Sequence, residues 1–147
     1  MIPVFDGHND FLLRLFDHPD QRETLWLSEG SEGHLDLPRM VKGGFAGGFF
    51  AIYIPSPHDD DAPDYMAAME NPPFTLPLPA LIEPATALPI AMDMAAQLLW
   101  MERASNGGFK ICRSTAEISA CLAQGVIAGI LHMEGAEAID ANLDTLY

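Results

Sequence analysis

The sequence has 147 residues, a length that suits one domain with a sizeable hydrophobic core. Hydrophobic residues make up 49% of the chain and charged residues 19%, a balance that is typical of globular proteins and excludes a disordered chain. The formal net charge of −14 argues against binding to nucleic acids or anionic membranes, because their phosphate groups would repel the chain.

The sequence carries no visible targeting or membrane segment. No apolar run approaches the roughly 18–20 residues that a membrane helix needs, and no basic segment followed by an apolar one indicates a signal peptide. Cys112 and Cys121 form neither a disulfide framework nor a CxxC pair. We therefore expect a chain without a membrane anchor in a reducing, cytoplasmic setting, with Cys121 as a buried thiol on a helix.

Predicted strands and helices alternate along the chain. Apolar, β-prone runs predict strands at residues 2–5, 47–54, 109–112 and 126–133. Apolar spacing and capping signals predict helices at residues 37–42, 90–103 and 115–124, the start of a helix in 11–16 and a helical turn near 65–69. Residues 17–33 are predicted to be a loop, rich in Asp, Glu, Ser and Gly. Residues 55–89 hold nine of the twelve prolines and predict an extended surface excursion.

This order of elements predicts a parallel α/β sheet with polar residues at the ends of its strands. Barrel enzymes place their catalytic groups at the carboxyl ends of strands, but a closed barrel needs about 200 residues or more. The pattern therefore leaves two interpretations open, a small open α/β domain or a part of a larger barrel.

Three residues at strand ends could bind a metal. His8 and Asp10 are two positions apart, so in an extended segment their side chains point the same way, and Zn²⁺ accepts both nitrogen and oxygen ligands. Glu134 follows a fully apolar run, where a carboxylate needs a partner such as a metal, a backbone group or an arginine. Each signal is weak alone, since a surface or capping role also fits. His132 shares the side of Glu134 on an ideal strand but is predicted to be a core histidine.

The remaining polar candidates favour a solvated role. His18, His34 and His58 lie in polar loops, and residues 59–61 form a run of three aspartates. The sequence contains no GxSxG, P-loop or HExxH motif, and no GxGxxG followed by an acidic residue.

Three segments form a more specific combination. They are residues 3–10 (PVFDGHND), 43–53 (GGFAGGFFAIY) and 125–140 (GVIAGILHMEGAEAID). In order and approximate separation they resemble the first three strands of the membrane (renal) dipeptidase family, the M19-type zinc metallopeptidases. The resemblance implies a (β/α)8 TIM-barrel metallo-dependent hydrolase, of which this chain supplies roughly the first three βα units. Residues 1–147 would then be the N-terminal part of a single barrel domain.

The resemblance also implies a two-zinc site that hydrolyses dipeptides with an activated water. His8 and Asp10 would be terminal ligands of one zinc, and Glu134 would bridge both. Asp6 and Asn9 would be outer groups that orient His8. The family is often dimeric, which allows a homodimer, and dipeptides with a C-terminal D-residue are among its substrates. The mammalian signal peptide, lipid anchor and disulfides have no match here, so we expect a bacterial-type member.

The family's remaining functional residues have no counterpart in this sequence. Its further metal-binding histidines, its histidine for the tetrahedral intermediate and its arginine for the substrate carboxylate belong to later strands, so the catalytic residues stay unknown. We therefore expect the isolated chain to be inactive. The alternatives are a barrel metallohydrolase for another amide, ester or lactam, a catalytically inactive binding or structural module, and a self-contained small α/β domain.

Overall fold

Four parallel strands form a single sheet in the computed structural model, which describes residues 2–30, 32–57 and 64–144. The strands are β1 (Val4–Asn9), β2 (Phe45–Tyr53), β3 (Phe109–Ile111) and β4 (Ile127–Glu134). Their spatial order is β1-β2-β4-β3, so the three strands with the family-like segments lie side by side and β3 is at the edge. β2 and β4 pair without interruption from Gly47 opposite Ala128 to Tyr53 opposite Glu134.

Six α-helices connect and cover these strands in the described residues. They are α1 (Phe11–Asp17), α2 (Arg22–Leu27), α3 (Leu37–Gly43), α4 (Tyr65–Met69), α5 (Pro84–Ala104) and α6 (Thr115–Gln124), with a 3-10 turn at Pro19–Gln21. Asp36 and Ser114 accept hydrogen bonds from backbone N–H groups in the first turns of α3 and α6. Gly44 and Gly125 end these two helices in the left-handed conformation, which glycine adopts without steric cost.

The prediction of a loop at residues 17–33 is wrong in part, because this segment contains the 3-10 turn and helix α2. The helix is short and gives little periodic signal, but its Leu25 and Trp26 are buried in the core. The indole Nε1–H of Trp26 donates to the Ser105 hydroxyl at 3.0 Å, at the end of α5. Tertiary packing therefore stabilises a turn of helix that local propensity does not indicate.

Helix α5 begins at Pro84 and not at residue 90. The predicted extended segment at residues 55–89 is therefore wrong for its last six residues, which are helical. Pro84 lies in the first turn, where the missing N–H has no intrahelical partner to lose. Pro89 lies inside the helix with its ring exposed, while Ala87 and Ala91 are buried. Burial of this first part of the helix accounts for its persistence through a residue that usually breaks helices.

Strand β1 also runs further than predicted, through His8 to Asn9. Its polar second half pairs with β2, where Asp6 lies opposite Gly48 and Asn9 opposite Phe50. The apolar pattern ended at Phe5, so the extension depends on the neighbouring strand rather than on side-chain hydropathy.

The core has one part on each face of the sheet. Ile127 belongs to the larger cluster, which joins the sheet to α1, α2 and α5, whereas the next residue, Ala128, packs against Cys112 and Cys121. Successive strand residues point to opposite faces, so helix α6, which carries Cys121, covers the face opposite α5. None of the described helices has the length and apolar character needed to cross a membrane.

Candidate metal centre

The three predicted ligands meet at the carboxyl end of the sheet. His8 is the penultimate residue of strand β1, Asp10 follows that strand, and Glu134 is the final residue of β4. Because β1 and β4 are parallel and flank β2, their carboxyl ends lie at the same edge. One nitrogen or oxygen atom from each side chain falls within 4.8 Å of the other two.

The imidazole of His8 lies between the two carboxylates. Its Nε2 atom is 3.3 Å from Oδ1 of Asp10 and 3.1 Å from Oε2 of Glu134. Asp10 precedes helix α1, but its carboxylate makes no capping hydrogen bond to that helix among the described residues. The side chains of His8, Asp10 and Glu134 are 40%, 56% and 45% exposed, so all three are accessible to solvent.

This group of donors fits a divalent cation such as zinc. One imidazole nitrogen and two carboxylate oxygens are ligand types that zinc binds in proteins. Among the described residues, the ion pairs of Asp10 and Glu134 are with His8, and no lysine or arginine pairs with either. Two converging carboxylates with only a histidine between them repel each other, and a cation would remove that repulsion.

Asp6 and Asn9, the two predicted outer groups, brace the backbone of the same segment. Asp6 Oδ1 accepts a hydrogen bond from the His8 backbone N–H at 3.2 Å, and Asn9 Nδ2 donates to Asp6 Oδ2 at 3.0 Å. Asn9 Oδ1 accepts from the backbone N–H of Phe11 at 3.3 Å, at the start of α1. These contacts hold the main chain from His8 to Phe11, and a role in orienting the imidazole stays a prediction.

His132 was predicted to be a core histidine, but its side chain lies beside the three-residue site. Its ring is half-buried and meets the His8 ring edge to face, with centroids 5.4 Å apart and planes at 84°. The centroid of the Phe49 ring lies 6.0 Å from that of His132. The sequence signal for this contact was the two-residue spacing from Glu134, which places both side chains on one face of the strand.

The other histidines and the cysteines lie elsewhere. His18 and His34 are exposed, and His58 with the aspartate run at 59–61 lies outside the described residues. Cys112 and Cys121 are buried with their Sγ atoms 3.6 Å apart. Burial, followed by the hydrogen bond and charge of the Cys121 thiol, raises the pKa of Cys112 from 9.0 to about 11. A thiol that holds its proton so strongly is a poor nucleophile.

The family model of the membrane dipeptidases, peptidase family M19, matches residues 1–147 of this sequence. The chain belongs to the membrane dipeptidase family. A relative from Acinetobacter calcoaceticus, described as an uncharacterized protein in the PQQ-III 3′ region, is 40% identical over 158 residues. That alignment covers 99% of this chain and 44% of the relative.

Two solved structures of metallo peptidases are similar to this fold. One is from Rhodobacter sphaeroides and was crystallised with a phosphinate mimic of the dipeptide L-Ala-D-Ala; it is 62% identical, with a TM-score of 0.88. The other is dipeptidase AC of family M19, 61% identical with a TM-score of 0.87. Each match covers 99% of this chain but only 41% and 40% of the solved chains.

These matches confirm the family and the fold class predicted from the sequence. The parallel α/β sheet is part of a TIM barrel of the metallo-dependent hydrolase type. The chain spans about two fifths of the length of the solved relatives. The members of this family are metal-dependent dipeptidases, so the family is one of enzymes.

Proposed function

We propose that residues 1–147 form the N-terminal part of a single barrel domain that hydrolyses dipeptides with zinc, and that His8, Asp10 and Glu134 are metal ligands. The observation that carries the proposal is the convergence of these three side chains within 4.8 Å, in a chain of the membrane dipeptidase family. When bound, zinc would polarise the peptide carbonyl and lower the pKa of the attacking water.

The residues of this chain have separate tasks in the proposed reaction. His8, in β1, and Asp10, directly after it, would hold one zinc, and the carboxylate of Glu134 at the end of β4 would serve as a ligand shared by two zincs. Asp6 and Asn9 fix the backbone between these ligands. Because a preorganised set of ligands loses little conformational freedom on binding, this bracing favours tight metal binding.

Small dipeptides are the proposed substrates, including those with a D-residue at the carboxyl end. The support is the L-Ala-D-Ala mimic bound to the Rhodobacter sphaeroides relative. The remaining ligands and the groups that bind the substrate carboxylate would come from later strands, so residues 1–147 alone are proposed to be inactive. A homodimer is proposed by analogy with the family, and native mass spectrometry of the natural protein reports chain mass, subunit number and bound metal together.

The test of the site uses the full-length natural protein and its single variants His8→Ala, Asp10→Asn and Glu134→Gln. Loss of outer groups alone weakens metal sites by about 10- to 100-fold, so loss of a direct ligand should lower metal affinity and L-Ala-D-Ala hydrolysis at least about 100-fold. His34→Ala and Asp93→Asn change exposed residues outside the three-residue site and should bind metal and turn over substrate like the wild type.

Three outcomes would contradict the proposal. Metal binding and hydrolysis that survive all three ligand variants would show that the site lies elsewhere. A natural protein without bound metal or hydrolytic activity would favour a binding or structural module. Metal-dependent hydrolysis of another amide, ester or lactam, without action on dipeptides, would keep the metal site but overturn the substrate class.

A further inference from the structure

We propose that His132 is a positioning residue that sets the orientation of the His8 imidazole for metal binding. The inference rests on the proposed function, because it gives His8 the role of a ligand. It assigns a task to a histidine outside the group of converging donors, which among the described residues is His8, Asp10 and Glu134.

The contact is specific in its geometry. The rings of His8 and His132 lie 5.4 Å apart at 84°, an edge-to-face arrangement that aromatic rings favour. His132 is two residues before Glu134 on β4, so one strand supplies both a proposed ligand and the ring that packs on another ligand. A shift of β4 would therefore move Glu134 and the His132 ring together.

His132 is itself supported by a row of rings across the sheet. Phe49 on β2 lies 6.0 Å from His132 at 83°, and Phe5 on β1 lies 6.1 Å from Phe49 at 75°. Gly47 leaves room for the Phe5 ring, because a Cβ atom there would lie 2.6 Å from Phe5 Cε2. We call Phe5, Phe49, His132 and His8 the ring row; it ends at the metal centre and draws on three strands.

The ring row adds a restraint on the His8 ring to the contacts that Asp10 and Glu134 make with its Nε2 atom. Asp6 bonds to the backbone N–H of His8, so it restrains the main chain and not the ring. Rotation of an imidazole about its second side-chain torsion is otherwise broad, and the His8 side chain is 40% exposed. Without His132, His8 would have to lose this freedom when it binds a metal, and affinity would fall.

The test compares His132→Phe, which keeps a ring, with His132→Gln and His132→Ala, which remove it. Zinc affinity of the full-length protein is measured by competition with a chromophoric chelator, and the absorption spectrum of the cobalt-substituted site reports ligand geometry. We expect affinity about 10- to 100-fold lower for His132→Gln and His132→Ala, with an altered cobalt spectrum. His132→Phe should restore affinity to within about threefold of the wild type and should restore the spectrum.

The control variant is Leu131→Ala, because Leu131 is an exposed neighbour on the opposite face of the same strand. It should leave zinc affinity unchanged. If His132→Ala fails to fold, the pair of His132→Phe and His132→Gln still decides, since both retain most of the histidine volume. Equal weakening by Phe and Gln, or no weakening by Gln, would overturn the positioning role.

The wild type and His8→Ala separate this inference from the proposed function. Zinc binding that is lost in His8→Ala but kept in His132→Gln would overturn only the positioning role. Absence of zinc binding in the wild type would overturn both.

Discussion

At the scale of single residues, burial decides which side chains are reactive. The open carboxyl edge leaves His8, Asp10 and Glu134 accessible to a metal, whereas Cys112 and Cys121 are enclosed between strand β4 and helix α6. The prediction that Cys121 is a buried thiol on a helix is confirmed. The burial that raises the pKa of Cys112 identifies it as a packing residue.

The raised pKa of Cys112 predicts a loss of stability in alkaline solution. The folded thiol titrates near pH 11 and the unfolded thiol near 9.0, so the unfolded state releases its proton first as pH rises. The contribution of Cys112 to the free energy of unfolding is therefore complete below about pH 9 and is lost between about pH 9 and pH 11. Denaturant midpoints measured across this window should fall more steeply for the wild type than for Cys112→Ala. Parallel profiles for the two proteins would contradict the prediction.

At the scale of elements, an enclosed glycine allows strand β4 to lie close to an aromatic ring of the core. Gly129 in β4 lies against Phe109, whose ring also packs edge to face on Trp26 and Phe50. A Cβ atom at Gly129 would lie 2.2 Å from Phe109 Cζ. The edge strand β3, which carries Phe109, therefore depends on glycine at this position of β4.

We expect Gly129→Ala to destabilise the protein by about 1–3 kcal/mol, because an added methyl overpacks a filled core. The measurement is the free energy of unfolding from denaturant titration. Gly43→Ala is the matched control, since a Cβ there meets no atom within 4 Å and the residue lies in helix α3. It should be neutral or stabilising by up to about 1 kcal/mol. Phe109→Leu combined with Gly129→Ala should recover part of the loss, and no recovery would point away from the ring contact.

The elements also show where local patterns were sufficient. The capped helices α3 and α6 agree with their predicted positions because Asp36 and Ser114 act within one turn of chain. Helix α2 and the first turns of α5 were missed because their stability comes from Trp26, Ala87 and other residues buried against distant elements. Proline statistics predicted an extended segment where burial supports a helix.

At the scale of the whole molecule, the proposed metal centre joins strands that do not pair with each other. His8 is in β1 and Asp10 directly follows it, Glu134 is in β4, and β2 lies between these two strands. A bound cation would therefore link β1 to β4 across β2 at the carboxyl end of the sheet. It would also offset local repulsion in a chain with a net charge of −14.

Zinc should raise the thermal unfolding temperature of the full-length protein by binding the folded state alone. A free zinc concentration 100 times the dissociation constant stabilises by about 2.7 kcal/mol, and the shift should disappear on chelation. Differential scanning calorimetry of the wild type and His8→Ala, each with and without zinc, measures the effect. The same shift in both proteins would mean that zinc stabilises them at another site.

The sequence by itself determined the local features of this protein. These features are the buried apolar runs, the helix caps and the metal-ligand types at strand ends. Each is set by residues close together in the sequence, so periodicity and spacing predicted it. The resemblance of three segments then indicated the family, which the comparisons confirmed. Only the tertiary structure decided the strand order β1-β2-β4-β3, the approach of Glu134 to His8 and the packing of His132 on that ring. These features join residues far apart in the chain, and their physical basis is the pairing of β4 beside β2, which no local pattern specifies.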